Sequence, residues 1–196
     1  HMDPTEPDAE LFSQYPFLVG ITWLVCMAIF TILSAVMASR FVVEDYSGKR
    51  AILLLSYPIS RKTVLCAKLV LVFAYTVSAM LLCGAVIQAV FFLTESLFPL
   101  CSDQLTIRVV LQSLGFLLCC SILSGLLGVV SLWFGFRKKS VSMTIVASVI
   151  LVTIVCQIIS VALAFLPIMG IVFGVTGIFA ILAIQSLLRQ VKNMEV

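Results

Sequence analysis

Hydrophobic positions along the chain come in long blocks, and polar positions are confined to short breaks between them. The first block covers residues 17–39, a second 63–93 and a third 108–136. A bilayer core of about 30 Å takes roughly 20 helical residues to cross, so each block predicts a membrane-spanning helix. The second block is longer than this requires, and tilt accommodates the excess. Residues 140–188 carry no charge at all. That stretch is too long for one crossing and about right for two. Pro167 and Gly170 mark the break, giving spans at about 140–165 and 168–188. The turn near 165–170 has no polar loop, so it is expected in the outer interface or shielded by protein. The predicted fold class is therefore all-α, a polytopic transmembrane helical protein with five visible spans.

Composition agrees with the pattern. The chain is 62% hydrophobic and 11% charged, with a mean hydropathy of +1.23. A soluble domain of this length needs far more polar surface, so the soluble classes are excluded. His1 and Met2 read as the remnant of an expression tag. Residues 3–16 are acidic and proline-containing, with neither a basic start nor an apolar core, so they are not a signal peptide. The expected organisation is an extracytoplasmic acidic tail over 1–16, a transmembrane domain over 17–188 with a linker at 40–62, and a cytoplasmic tail over 189–196.

Charge placement sets the orientation. With five spans, the 40–62 linker, the triplet Arg137-Lys138-Lys139 and the tail share one side. Eleven of the twelve Lys and Arg residues then lie on that side, with Lys68 snorkelling back to it, and Arg108 is the exception. Six of the nine acids (Asp3, Glu6, Asp8, Glu10, Glu95 and Asp103) fall on the other. The positive-inside rule makes the basic side cytoplasmic, with the N-terminus outside and the C-terminus inside a cell membrane.

Catalytic chemistry is not expected. His1 is the only histidine, which removes histidine-based metal sites and Ser-His or Cys-His dyads. No HExxH or GxSxG occurs, and Gly48-Lys49-Arg50 does not complete a phosphate-binding loop. The adjacent pair Glu44-Asp45 points about 100° apart on a helix, which is poor geometry for joint acid–base work. The seven cysteines form no CxxC pair, and all but Cys101 lie in apolar runs, so neither a disulfide framework nor a metal site is expected. Gln88, Gln112 and Gln157 are the polar groups at depth, read as interhelical hydrogen-bonding groups. Ser121 with Gly125, Ser124 with Gly128, and Gly170 with Gly174 have the small-xxx-small spacing that lets helix backbones approach. Trp133, beside Arg137, suits the membrane–water interface.

The linker carries the remaining information. Residues 51–55 are an apolar run between Lys49-Arg50 and Tyr57-Pro58, too short to span. They predict a short interfacial helix. Gly48 permits the turn into it, Pro58 stops it, and Ser60 caps the next span. A basic loop that merely fixes topology is the plain alternative.

Glu44, Gly48, Leu53-Leu54-Leu55, Pro58, Ser60-Arg61 and Lys68 together resemble the membrane subunit of ABC transporters, in the type-2 permease family. There an E…G…LLL…P.SR…K pattern follows the second span and enters the third. The resemblance covers about 25 residues closely, and the order of the remaining spans agrees. It implies that Glu44, Asp45, Gly48, Lys49, Arg50, Pro58 and Arg61 form the coupling region against an ATPase subunit. Arg137 and Lys138 would make a second, shorter contact. Partners implied are ABC ATPase subunits and a second permease subunit, identical or homologous, within membrane lipid. No nucleic acid is implied. ATP and magnesium would belong to the ATPase, with no cofactor in this chain. The family has six spans and a cytoplasmic N-terminus, so the first visible span corresponds to its second, and a preceding helix is expected. The implied function is an ATP-driven exporter permease in a bacterial or archaeal cell membrane. The rival class is a scaffold or assembly subunit that recruits a cytoplasmic partner through the same linker.

Overall fold

The computed structural model describes residues 15–43, 61–97, 107–138, 140–162 and 166–193. These residues are helical, apart from the junction residue Ser140, and contain no strand. The helices are α1 (Tyr15–Ala38), continued by a π-helical turn (Ser39–Val43), α2 (Arg61–Leu97), α3 (Ile107–Lys138), α4 (Val141–Ala162) and α5 (Leu166–Asn193). All five contain an apolar stretch long enough to cross a membrane, so the protein is a multi-pass transmembrane helical protein. α4 ends at Ala162 and α5 begins at Leu166, so Pro167 and Gly170 lie within the first turns of α5, and the turn expected near 165–170 is corrected to a break before Leu166.

α3 is the central element. It packs on each of the other four helices. Around it the order is α1, α2, α5, α4, and α4 returns to α1. The consequence is visible in burial: 61% of the apolar stretch of α3 is buried, against 22–33% in the other four. The outer faces carry large apolar side chains such as Val25, Leu82, Leu111, Ile150 and Ile178. In water such a surface would drive association; in a bilayer it is the lipid-facing surface.

Two clusters make up the interior. One gathers Trp23 and Met27 of α1, Met80 of α2, Leu117, Cys120, Leu123 and Leu127 of α3, Val152, Val155 and Ile159 of α4, and Val172 of α5. The other joins Ala38, Val42 and Val43 with Leu65, Leu69 and Val72, Leu132 and Phe136, and Leu187. The second cluster therefore brings together the end of α1, the start of α2, the end of α3 and the end of α5. Successive helices alternate in direction.

Between these apolar residues lies a set of buried hydroxyls. Thr31, Thr76, Ser121, Ser124, Ser131, Ser148 and Thr176 each donate to a carbonyl three or four residues earlier, at 2.7–2.8 Å. Bonding back to its own helix satisfies the hydroxyl and leaves a small side chain at the interface. Close approach follows. An added Cβ on Gly125 would lie 2.7 Å from the Phe73 ring. One on Gly128 would overlap Ser34 Oγ and lie 2.8 Å from Ser34 Cβ. One on Gly135 would overlap Thr144 Oγ1 and lie 3.1 Å from Thr144 Cα. Ser121 is fully buried on the same helix.

The Gly170 and Gly174 pair behaves differently. Both are exposed, and a Cβ on either would meet nothing within 4 Å. The expectation that this pair brings helices together is corrected: within this chain, small size at these two positions serves no described contact. Spacing alone does not say which face of a helix is turned inward.

The turn from α3 to α4 is closed by the Ser140 amide, which donates to the Gly135 carbonyl at 3.2 Å. This is the six-to-one bond of a helix C-terminus, and it lets α4 start almost at once.

Candidate functional site

The candidate site is the basic end of the bundle. Arg40, Lys62, Arg137, Lys138 and Arg189 are exposed and Lys68 is half-buried, all at helix ends that meet in the second apolar cluster. Arg108 lies in the first turn of α3, at the opposite end. Such segregation of charge is the arrangement expected of a topology signal and of a contact face for an acidic partner.

The linker is rooted at this end on both sides. Val43, its last described residue on the α1 side, is 2% exposed, and Leu65, one turn into α2, is fully buried in the same cluster. A movement of the linker would therefore act on the packed ends of α1 and α2. Glu44, Asp45, Gly48, Lys49, Arg50 and Pro58 lie outside the described residues. Arg61 opens α2, and its side chain is also outside them.

Between the two roots is a specific bond. Lys68 Nζ donates to the Phe41 carbonyl at 2.9 Å. Phe41 sits in the π turn, where the change of hydrogen-bond register redirects backbone carbonyls. The ammonium thus snorkels to the end of the bundle and ties α2 to the last turn of α1. A charge-assisted bond is typically about 1.5–3 kcal/mol, and for this solvent-facing one we expect roughly 1 kcal/mol or less. Lys68→Met should lower thermal stability in detergent by a corresponding small amount, with exposed Lys62→Met as the neutral control. Equal melting temperatures for the two variants would remove any role of the Lys68 bond in holding the ends together.

The α3 contribution is structured differently. Arg137 lies over the Trp133 ring, 4.9 Å from its centroid, and Trp133 meets Phe134 edge-on with centroids 4.8 Å apart. The cation–π contact holds the guanidinium above an aromatic platform rather than in free solution. Lys138 is exposed beside it. The structure thus brings Arg137 and Lys138 to the same end as the start of α2.

The three glutamines at depth do not share one environment. Gln88 is buried and donates through Nε2 to Ser113 Oγ, joining α2 to α3. Gln112 and Gln157 are exposed on the outer face. The polar residue type was visible along the chain, but the face it occupies was set by packing. The π turn, the Lys68 bond to Phe41 and the close contact at Gly135 had no sequence signal beyond the residues themselves.

No family model matches the chain, and no solved structure matches it. The chain is similar to the uncharacterized protein YcbO of Bacillus subtilis (strain 168), 28% identical over 128 residues. That match covers 65% of this chain and 56% of YcbO, so the chain spans little more than half the length of the relative it matches.

Proposed function

We propose that this chain is a permease subunit of an ATP-driven exporter, related to the type-2 ABC permeases, coupled to separate ATPase subunits through residues 44–61 and supported by Arg137 and Lys138. The E…G…LLL…P.SR…K pattern carries the reading. Its support from geometry is that this linker leaves from Val43 and returns to Leu65 within one apolar cluster. A push on the linker would then reach α1, α2, α3 and α5 together through that cluster. The free energy comes from ATP and magnesium bound in the partner. Two permease subunits enclose the path, and the few ionisable groups within the spans suit an apolar or amphipathic cargo.

The mechanism is a rigid-body one. Closure of the ATPase pair moves the linkers, and packed helices shift between two discrete arrangements rather than deforming continuously. A scaffold that recruits a cytoplasmic protein through the same linker predicts binding without nucleotide dependence. We therefore expect ATP to change the labelling rate of a cysteine introduced at Lys138, in a complex with the ATPase subunits. An unchanged rate with ATP, ADP and no nucleotide, in a complex that stays assembled, favours the scaffold.

A further inference from the structure

The outward side of α4 carries a side chain that a bilayer cannot satisfy. Gln157 is exposed, and its carboxamide has no hydrogen-bond partner among the described residues. It lies inside the apolar stretch Val141–Ser160, and residues 161–175 beyond it contain no polar side chain. Helical side chains lean toward the N-terminus, which turns this amide back into the span rather than out toward water. Hydrocarbon offers neither donor nor acceptor, so an unpaired amide there is costly. Gln112 differs. It is exposed too, but it stands two residues inside its stretch at Val110 and one turn from Arg108, at the polar end of α3.

Gln157 belongs to an ordered row. Met143, Val146, Ile150, Thr153, Gln157 and Ser160 are all exposed and follow one another at intervals of 3, 4, 3, 4 and 3 residues. This is the a/d spacing of a seam between supercoiled helices, and Gln157 takes an a position. Thr153, Gln157 and Ser160 are successive members of the row. The outward residues beside them, Val149, Ile154 and Ile158, are apolar, and the remaining exposed polar residue, Ser142, opens the helix at the basic end. A surface that faces only lipid has no use for such segregation. Thr153 Oγ1 donates to the Val149 carbonyl at 2.7 Å, and Ser160 Oγ donates to the Gln157 carbonyl at 2.8 Å. Both hydroxyls are thus paired within the helix and leave small side chains on the row. The Gln157 carboxamide is the group that still needs a partner.

The chemistry of the amide and the symmetry of a membrane identify the occupant. A carboxamide carries a donor and an acceptor together, so a second carboxamide complements it fully. Two copies of one chain insert with the same orientation, because the same charge placement acts on each. The twofold axis that relates them therefore runs along the membrane normal. About that axis α4 meets α4 of the second copy in parallel, and residues at equal depth face each other. Each Gln157 then meets its counterpart, with Nε2 of one donating to Oε1 of the other. Met143, Val146 and Ile150 continue the contact toward the basic end.

We infer that α4 is a homodimerisation helix, in which the row from Met143 to Ser160 packs on the same row of a second copy and the two Gln157 amides pair reciprocally. The inference extends the paired-subunit part of the proposed function, on which it rests, and the contact itself needs no ATPase.

The test uses the purified full chain in phosphatidylcholine vesicles, with no ATPase present. Copies labelled at the C-terminus with a donor or an acceptor fluorophore report association by energy transfer as the protein-to-lipid ratio is varied. Gln157→Leu should raise the half-association mole fraction about tenfold, whereas Gln157→Asn, which keeps a carboxamide, should stay closer to wild type. A p-benzoylphenylalanine placed at Ile150 should give a covalent dimer on illumination. The same group at Leu82, on the lipid face of α2, should give none. Size-exclusion elution and melting temperature identify the folded variants, and the exposed position of Gln157 leaves the core untouched. A wild-type chain that stays monomeric over the whole range overturns the inference. So does crosslinking from Leu82 as strong as from Ile150, or a folded Gln157→Leu protein that associates like wild type. Any of these leaves coupling through the linker to be judged by ATPase binding alone.

Discussion

Gly128→Ala is expected to lower the melting temperature of the purified protein sharply, and Ser34→Gly is expected to restore most of the loss. An added Cβ on Gly128 overlaps Ser34 Oγ and lies 2.8 Å from Ser34 Cβ, so rotating the hydroxyl away is not enough. The contact joins α1 to α3, the helix on which the other four pack, and Ser34 is only 1% exposed. Overpacking of this kind costs about 1–3 kcal/mol. Gly135→Ala should cost at least as much, because its added Cβ would lie 3.1 Å from the Thr144 backbone Cα. Gly170→Ala and Gly174→Ala meet nothing and should be neutral or gain up to about 1 kcal/mol of helix preference. Thermal unfolding of the five variants side by side checks the set. A Gly128→Ala protein as stable as wild type, or a double variant no better than the single one, would show that α1 and α3 are not packed in this way.

The second large effect is on association rather than folding. Arg61→Glu reverses a charge at the start of α2, and Gly48→Val removes the residue expected to allow the linker to turn. If residues 44–61 form the docking surface, either change should weaken binding of an ABC ATPase at least tenfold, or about 1.4 kcal/mol. Neither should alter the melting temperature by more than about 0.5 kcal/mol equivalent, since Arg61 precedes the apolar stretch of α2. Titration of the ATPase onto the immobilised protein gives both affinities. Unchanged affinity in both variants would take the linker out of the interface.

How much of this was legible along the chain depends on the length scale. Long apolar runs cut by charges give spans and alternation directly, because a bilayer requires about 20 apolar residues per helix. The inward faces were not legible in hydrophobicity. Lipid-facing Val86 and Leu82 are as apolar as buried Met80, so no helix shows a strong polar side. The inward stripe of α2, Leu65, Leu69, Val72, Thr76, Met80, Gly84 and Gln88, recurs every three or four residues. Its marks are size and polarity: Thr76, Gly84 and Gln88 are the positions a greasy outer face does not need. The same holds for Thr144 and Ser148 on α4 and for Thr176, Ala180 and Ala183 on α5. Ser121, Gly125 and Gly128 followed that logic and are buried; Gly170 and Gly174 had the spacing but face outward.

The candidate site was legible in a different way. The convergence of Arg40, Lys62, Lys68, Arg137, Lys138 and Arg189 at one end follows from span parity alone. The bond that Lys68 makes to Phe41 does not, because it depends on a π turn for which no residue pattern was evident. Gln88 stood out as a polar residue at depth, but its partner Ser113 is 25 positions away along the chain.

The most direct measurement is co-purification of this protein with ABC ATPase subunits from the same membrane, with and without ATP. The wild-type protein is expected to retain an ATPase, Arg61→Glu and Gly48→Val to release it, and ATP to alter the complex. Failure of wild-type protein to retain any ATPase under every nucleotide condition would contradict the permease reading and leave the linker as the docking element of a scaffold.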